Sequence, residues 1–217
     1  RRECGNDGSC SCGRWWMEHL VSHIAIIPAR GGSKRIPRKN IVPFRNRPMI
    51  GWTITAALDS GVFDRVIVST DDEEIATLAR NEGAEVPFLR MVHADDHSPV
   101  SAAVLSALKQ AEIHYGQVFE TVTQLMPNCP LRGATQIKSA WNNFKKGVHQ
   151  FQISAFEFGW MNPWWAARIQ NNGQPDWLFP ETSTARSQDL DKLYCPTGAI
   201  WIAAVQELHK HATFYGP

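Results

Sequence analysis

The chain is 217 residues long, 43% hydrophobic and 20% charged, with a formal net charge of +1. Such a length and apolar fraction suit one α/β domain with a real core and argue against disorder. Near-neutral charge argues against a generic nucleic-acid or anionic-membrane binder, no apolar run approaches the roughly 20 residues needed to cross a bilayer, and nothing resembles a signal peptide.

Residues 1–16 are rich in Gly, Cys, Ser and Arg and have no periodicity. They are expected to be a non-native or upstream extension, with Met17 as the natural start and 17–217 as the folded domain. A zinc-binding knot of Cys4, Cys10 and Cys12 is the alternative, and it lacks a matching second cysteine pair. Cys129 and Cys195 are isolated. An odd cysteine count without repeated spacing is poor evidence for disulfides, which makes the reducing cytoplasm the default location.

From His23 onward strand and helix patterns alternate. His23–Ile27 is a nearly all-apolar run, as in a strand buried on both faces of a parallel sheet. A glycine-rich basic loop follows. Pro48–Ser60 has helical spacing and stops at Gly61. Arg65–Ser69 reads as a second strand and Asp71–Glu82 as a helix. Val86–Leu89 reads as a third strand. Ser98-Pro99 forms an N-cap and first-turn pair for a helix to Tyr115. Thr121–Leu125 and Thr135–Lys146 give another strand and helix. This order predicts a doubly wound, mostly parallel α/β sheet of Rossmann-like type with right-handed crossovers. After Gly147 the rhythm changes. Phe151–Phe158 and Trp164–Gln170 look extended, and Asn171-Asn172-Gly173 is a hairpin turn signal. Trp160, Trp164, Trp165 and Trp177 crowd this arm, about residues 148–180, which is either a dimer contact or a local core. Gly198–Ala203 returns to a core-strand pattern.

The most informative stretch is Pro28-Ala29-Arg30-Gly31-Gly32-Ser33-Lys34-Arg35-Ile36-Pro37-Arg38-Lys39-Asn40. It follows the first buried strand directly, at the sheet edge where α/β proteins bind ligands. Gly31 and Gly32 let backbone N–H groups approach phosphate oxygens without Cβ obstruction. Seven Lys and Arg side chains and no acid lie between Arg30 and Arg47. A solvated charge run is the plain alternative, but such runs do not normally open on a strand and a double glycine. Neither a P-loop nor the dinucleotide fingerprint fits the glycine spacing.

This loop resembles the signature of the CMP-sialic acid synthetase family, which includes the pseudaminic and legionaminic acid cytidylyltransferases. Further matches follow in order: Ser69-Thr70-Asp71-Asp72-Glu73-Glu74-Ile75-Ala76, Pro87-Phe88-Leu89-Arg90, Leu125-Met126-Pro127-Asn128-Cys129-Pro130-Leu131-Arg132, Ser187-Gln188-Asp189-Leu190 and Tyr194-Cys195-Pro196-Thr197-Gly198-Ala199-Ile200. The resemblance covers about Ile24 to Pro217. It implies a cytidylyltransferase that transfers CMP from CTP to a nonulosonic (sialic-acid-like) sugar acid and releases pyrophosphate. It places Arg30 and Lys34 on the triphosphate and Lys39 on the α-phosphate. Ala29, Gly31, Gly32, Ser33, Asn40, Arg90 and Asn128 would contact the nucleotide, and Arg186, Gln188 and Asp189 the sugar acid. It also implies Mg²⁺ as cofactor, while the dense tryptophans of the Phe151–Trp177 arm predict a homodimer. The family's metal-binding Asp-x-Asp pair is expected beyond Pro217, so that CTP binding would persist without turnover in a chain lacking it. Met126 stands where sialic acid synthetases often carry Gln, which leans toward a related nonulosonic acid.

Plainer readings apply elsewhere. Asp71–Glu74 has capping-box spacing from Thr70 to Glu73, with acids at a helix N-terminus, rather than a metal cluster. Asp95, Asp96 and His97 have metal-ligand types but sit in a loop before a helix. Cys129 reads as a small buried residue and not a nucleophile, and His209 and His211 as residues of an exposed helix. The competing functions are a nucleotidyltransferase for another sugar and a catalytically silent nucleotide-binding module.

Overall fold

The computed structural model describes residues 22–34, 36–92 and 98–217. The expected extension 1–16, the start at Met17 and the metal reading of Asp95, Asp96 and His97 lie outside the described residues. The chain divides into two compact units, one ending at Ile153 and resuming at Gly198, the other running from Ser154 to Thr197.

Strand β1 (His23–Pro28) is the centre of the first unit. It lies parallel to β4 (Arg65–Ser69) on one side and to β5 (Thr121–Gln124) on the other. β9 (Tyr194–Ala204) then runs antiparallel to β5, and β6 (Phe151–Glu157) completes the order β4-β1-β5-β9-β6. Between β1 and β4 lie a small ribbon of β2 (Pro43–Phe44) and β3 (Arg47–Pro48), then helix α1 (Met49–Ser60). Helices α2 (Glu73–Asn81) and α3 (Val100–Tyr115) precede β5, α4 (Ala134–Lys146) follows it, and α5 (Val205–His211) follows β9.

β1 is apolar from Ile24 to Ile27 because both faces of the sheet are covered. Ala25 and Ile27 face a core with Ile50, Ile54, Ile75 and Ile137 from α1, α2 and α4. Ile24 and Ile26 face another with Val104, Leu108, Leu208 and Phe214 from α3, α5 and the residues after it. Each fully buried isoleucine contributes about 1.5–3 kcal/mol of transfer free energy. The expected doubly wound, mostly parallel sheet is therefore present, with a helical layer on each face.

The one polar side chain buried in β1 is accommodated locally. His23 is 1% exposed, stacks on Trp141 with ring centroids 4.0 Å apart, and has Nδ1 3.1 Å from the Val62 carbonyl. A carbonyl only accepts, so Nδ1 carries the proton and Nε2 accepts from the Thr123 hydroxyl at 2.7 Å. Burial pushes its pKa down to about 3, against a raising contribution from the Val62 carbonyl. His23 thus stays neutral and ties α4 to the sheet.

Some expected boundaries move. Val86–Leu89 forms no strand: only Glu85 bridges to Ile67, and Pro87 lacks the N–H that would extend the ladder. The residue before α3 is Pro99 and not Ser98, and it caps without a side-chain hydrogen bond. The first half of Trp164–Gln170 is a short 3₁₀ turn (Pro163–Trp165), and only Ala167–Ile169 forms strand β7. The sequence pattern predicts no strands at the β2–β3 ribbon. Its turn places Arg45 and Asn46 at φ of 50° and 61°, the left-handed pair that a two-residue hairpin needs.

In the second unit β7 pairs antiparallel with β8 (Pro175–Trp177) around the predicted turn, where Gly173 has φ of 82°. The indoles of Trp164 and Trp165 donate to the carbonyls of Asp191 and Thr182 at 3.0 and 3.1 Å. None of its described residues is fully buried, and Trp160 is 82% exposed.

Candidate functional site

β1 is followed in sequence by β4 on one side and, later, by β5 on its other side. The strand order therefore reverses at β1, and the crevice beyond its carboxyl end is where open α/β sheets bind ligands. The glycine-rich loop begins there. Ala29 is buried and its N–H donates to the Ser69 carbonyl at 2.9 Å, holding the loop to the neighbouring strand. At the far end Asn40, 4% exposed, donates its side-chain N–H to the Arg30 carbonyl at 2.9 Å. Asn40 therefore closes the loop on itself. Between these anchors Gly32 and Lys34 are exposed, and Arg30, Ser33 and Lys39 are half-buried.

The acids after β4 reach back to this loop. The Gly31 N–H donates to the Asp71 carboxylate at 3.0 Å. A Cβ on Gly31 would lie 2.7 Å from Asp72 Oδ2, so only glycine permits this approach. Asp72 Oδ1 accepts from the N–H groups of Glu74 and Ile75, both at 3.0 Å. The cap of α2 is thus Asp72 and not the expected Thr70–Glu73 box; Thr70 Oγ1 instead accepts from the Asp72 N–H at 3.2 Å. Arg38, at φ of 53°, turns its guanidinium to ion pairs with Asp72 and Glu74. The hydrogen bond from Arg38 holds the Asp72 carboxyl below the usual carboxylate range, with burial opposing and the two α2 amides assisting.

Arg90 is 4% exposed, and its Nη2 lies 3.9 Å from Asp71. Burial pushes its pKa down; Asp71 opposes that shift and Arg30 adds to it. One carboxylate thus touches the Gly31 amide and lies beside the Arg90 guanidinium, two groups assigned to the nucleotide by resemblance. Asn128 is exposed in the loop after β5, and Cys129 beside it is half-buried. Burial raises the Cys129 thiol pKa, while Arg132 and Lys39 pull it down. The Met126 N–H donates to the Gly198 carbonyl at 3.1 Å, and a Cβ on Gly198 would lie 2.6 Å from Met126 Cγ.

The residues expected at the sugar acid lie in the second unit. Arg186 pairs with Asp189 at 2.7 Å, and both are exposed. Gln188 lines a cavity of about 280 Å³ with Phe158, Trp160, Leu190 and Lys192. Among the described residues no group of three or more His, Cys, Asp or Glu side chains converges to hold a metal ion. Asp71 and Asp72 are engaged by Gly31, Arg38 and α2, so they do not supply the ligand set that magnesium would need.

The sequence locates the glycine-rich loop after β1 but does not announce Asp71 and Asp72 as its brace. The signal is indirect: two acids directly after the strand that neighbours β1. Nor does the sequence single out Arg132, which is buried at 7% exposure.

Residues 24–159 match the model of the family described as cytidylyltransferase. A pseudaminic acid cytidylyltransferase of Campylobacter jejuni is 38% identical over 183 residues, which is 83% of this chain and 78% of that protein. A CMP-N,N'-diacetyllegionaminic acid synthase of Legionella pneumophila is 33% identical over 197 residues, 88% of this chain and 82% of that protein. Among solved structures, a CMP:2-keto-3-deoxy-manno-octonic acid synthetase complexed with CTP shares the fold. Its TM-score is 0.67 at 15% identity, covering 88% of this chain and 77% of that one.

Proposed function

The chain belongs to the cytidylyltransferase family, and from that premise we propose that it transfers CMP from CTP to a nonulosonic sugar acid with release of pyrophosphate. The observation that carries the reading is the braced glycine loop at the sheet's topological switch point, rich in cations and held open by Ala29, Asn40 and Asp72. Gly31, Gly32 and Ser33 would offer backbone N–H groups to the triphosphate, with Arg30 and Lys34 matching its charge. The sugar's anomeric hydroxyl attacks the α-phosphorus in line. A new P–O bond forms, the bond to the β-phosphate oxygen breaks, and the hydroxyl proton leaves to solvent. Lys39 would stabilise the charge that grows on the α-phosphoryl oxygens. Asp71 must give up the Gly31 amide as phosphate arrives, so it serves as a placeholder that keeps the cradle formed. Arg90 and Asn128 would recognise the base and ribose. Arg186, Gln188 and Asp189 would meet the sugar acid.

The names of the relatives favour an acid of the pseudaminic or legionaminic type, as does the apolar Met126. A homodimer through the aromatic second unit and a cytoplasmic location, where CTP is available, complete the proposal. Two measurements test it together: thermal shift with CTP, UTP, ATP and GTP, and pyrophosphate release with neuraminic, pseudaminic and legionaminic acids. A ligand held only by the folded state at 100 times its Kd adds about 2.7 kcal/mol. CTP should raise Tm above the other three nucleotides, and one acid should release pyrophosphate from CTP once a family-type C-terminal segment supplies the magnesium-binding carboxylates. Equal shifts for all four, or release with a different nucleotide, would overturn the reading.

A further inference from the structure

Arg132 ends the loop that leaves β5 on the same sheet edge as the glycine loop, one residue before the Gly133 cap of α4. A buried guanidinium ordinarily sits against a carboxylate, because an unpaired buried charge is costly. Arg132 has no such partner among the described residues. Its Nη1 donates to the carbonyls of Ala199 and Met126 at 2.5 and 3.4 Å, which pins the group between β9 and the β5 loop. Its Nε and Nη2 are buried without a hydrogen-bond partner among the described residues. These two nitrogens lie on the same side of the guanidinium plane's outline, and their N–H bonds form the fork that grips two oxygens of a carboxylate or phosphate. A side chain needed only as a tie between two carbonyls would not require that second, unfilled edge.

We propose that Arg132 is a substrate-binding residue that receives an oxyanion through its Nε/Nη2 edge. The inference rests on the proposed reaction, whose substrates supply two candidates: the sugar acid's carboxylate and a nucleotide phosphate. Its place fits either. β5 lies parallel beside β1, so the loop that ends at Arg132 and the glycine loop leave the same carboxyl edge of the sheet from neighbouring strands. The preceding loop is exposed at Asn128 and Leu131. With the edge buried, an oxyanion reaches it when that loop lifts, and closure of the loop over the ligand then pairs the charge.

The test uses the wild-type protein labelled with ¹⁵N, following the Nε–H resonance of Arg132, which is assigned by its loss in Arg132→Lys. Binding of CTP and of each acid is measured in parallel by calorimetry. A shift on adding CTP alone identifies a phosphate; a shift only on adding the acid to the CTP-loaded protein identifies the carboxylate. Arg132→Lys keeps the charge and loses the fork, so it should raise the Kd or KM of the responsible substrate about tenfold or more, leaving the other's unchanged. Ligands that bind with no movement of the resonance and no change in either constant would overturn the role of Arg132 while leaving the proposed reaction standing. If neither CTP nor any acid binds, the proposed reaction fails and the role of Arg132 fails with it.

Discussion

Asp72→Ala separates the work done by the acidic brace. The wild-type carboxylate accepts the Glu74 and Ile75 amides, each at 3.0 Å, pairs with Arg38, and packs against Gly31. Losing the cap costs about 1 kcal/mol. The Arg38 pair adds at most about 1 kcal/mol, because the two side chains are 39% and 20% exposed and solvent screens them. Asp72→Ala should therefore lower stability by roughly 1–2 kcal/mol, and Asp72→Asn, which still caps, by less than about 1 kcal/mol. Urea unfolding with unchanged m-value reads both. The pH dependence follows from the depressed folded pKa of Asp72. Its contribution is complete above the unfolded carboxylate pKa and is lost as pH falls through the folded value, so the gap between wild type and Asp72→Asn closes in acid. CTP affinity should also drop in Asp72→Ala, since the glycine loop loses the group it packs on. An alanine variant no less stable than the asparagine one would refute the capping account. Unchanged CTP affinity would refute the brace.

Three further outcomes are expected. His23 is held neutral by burial with its pKa near 3, so the unfolded chain binds a proton that the folded one refuses. Stability is full above the unfolded histidine pKa of about 6.5 and falls below it by up to about 1.4 kcal/mol per pH unit toward pH 3; urea titrations of wild type and His23→Gln should show that slope only in the former. Lys39→Ala should lower kcat by an amount worth about 2.7–4 kcal/mol with little change in CTP affinity, and steady-state kinetics showing the reverse would make Lys39 a binding residue only. Light scattering at micromolar concentration should give a dimer of the 24.4 kDa chain, and a monomer would remove the proposed role of the second unit.

The layered fold was legible because its signals are local. Ile24–Ile27 carry no polar residue, which only a strand covered on both faces tolerates, and Gly61 and Gly116 sit where α1 and α3 reach left-handed φ of 60°. What failed depended on neighbours distant in sequence. Val86–Leu89 has strand composition, yet pairing requires donors on the side facing Ile67, and Pro87 removes one. The left-handed pair Arg45-Asn46 carries no glycine to announce the β2–β3 turn.

The candidate site divides along the same line. Its glycine loop could be located from the sequence, because a double glycine after a buried strand is a local pattern, while the roles of its cations follow from the resemblance. Its carboxylates could not, since Asp71 and Asp72 are separated from Gly31 by forty residues of chain and meet it only because β4 lies beside β1. On sequence the two acids read as a helix cap rather than a metal cluster, and nothing local announces the loop brace. Geometry separates them: Asp72 does the capping, and the Gly31 amide selects Asp71. In the proposed reading a phosphate oxygen takes the Gly31 amide that the Asp71 carboxylate holds in this structure. On that reading CTP must displace Asp71 from Gly31 before the cradle is filled, which sets a condition on affinity.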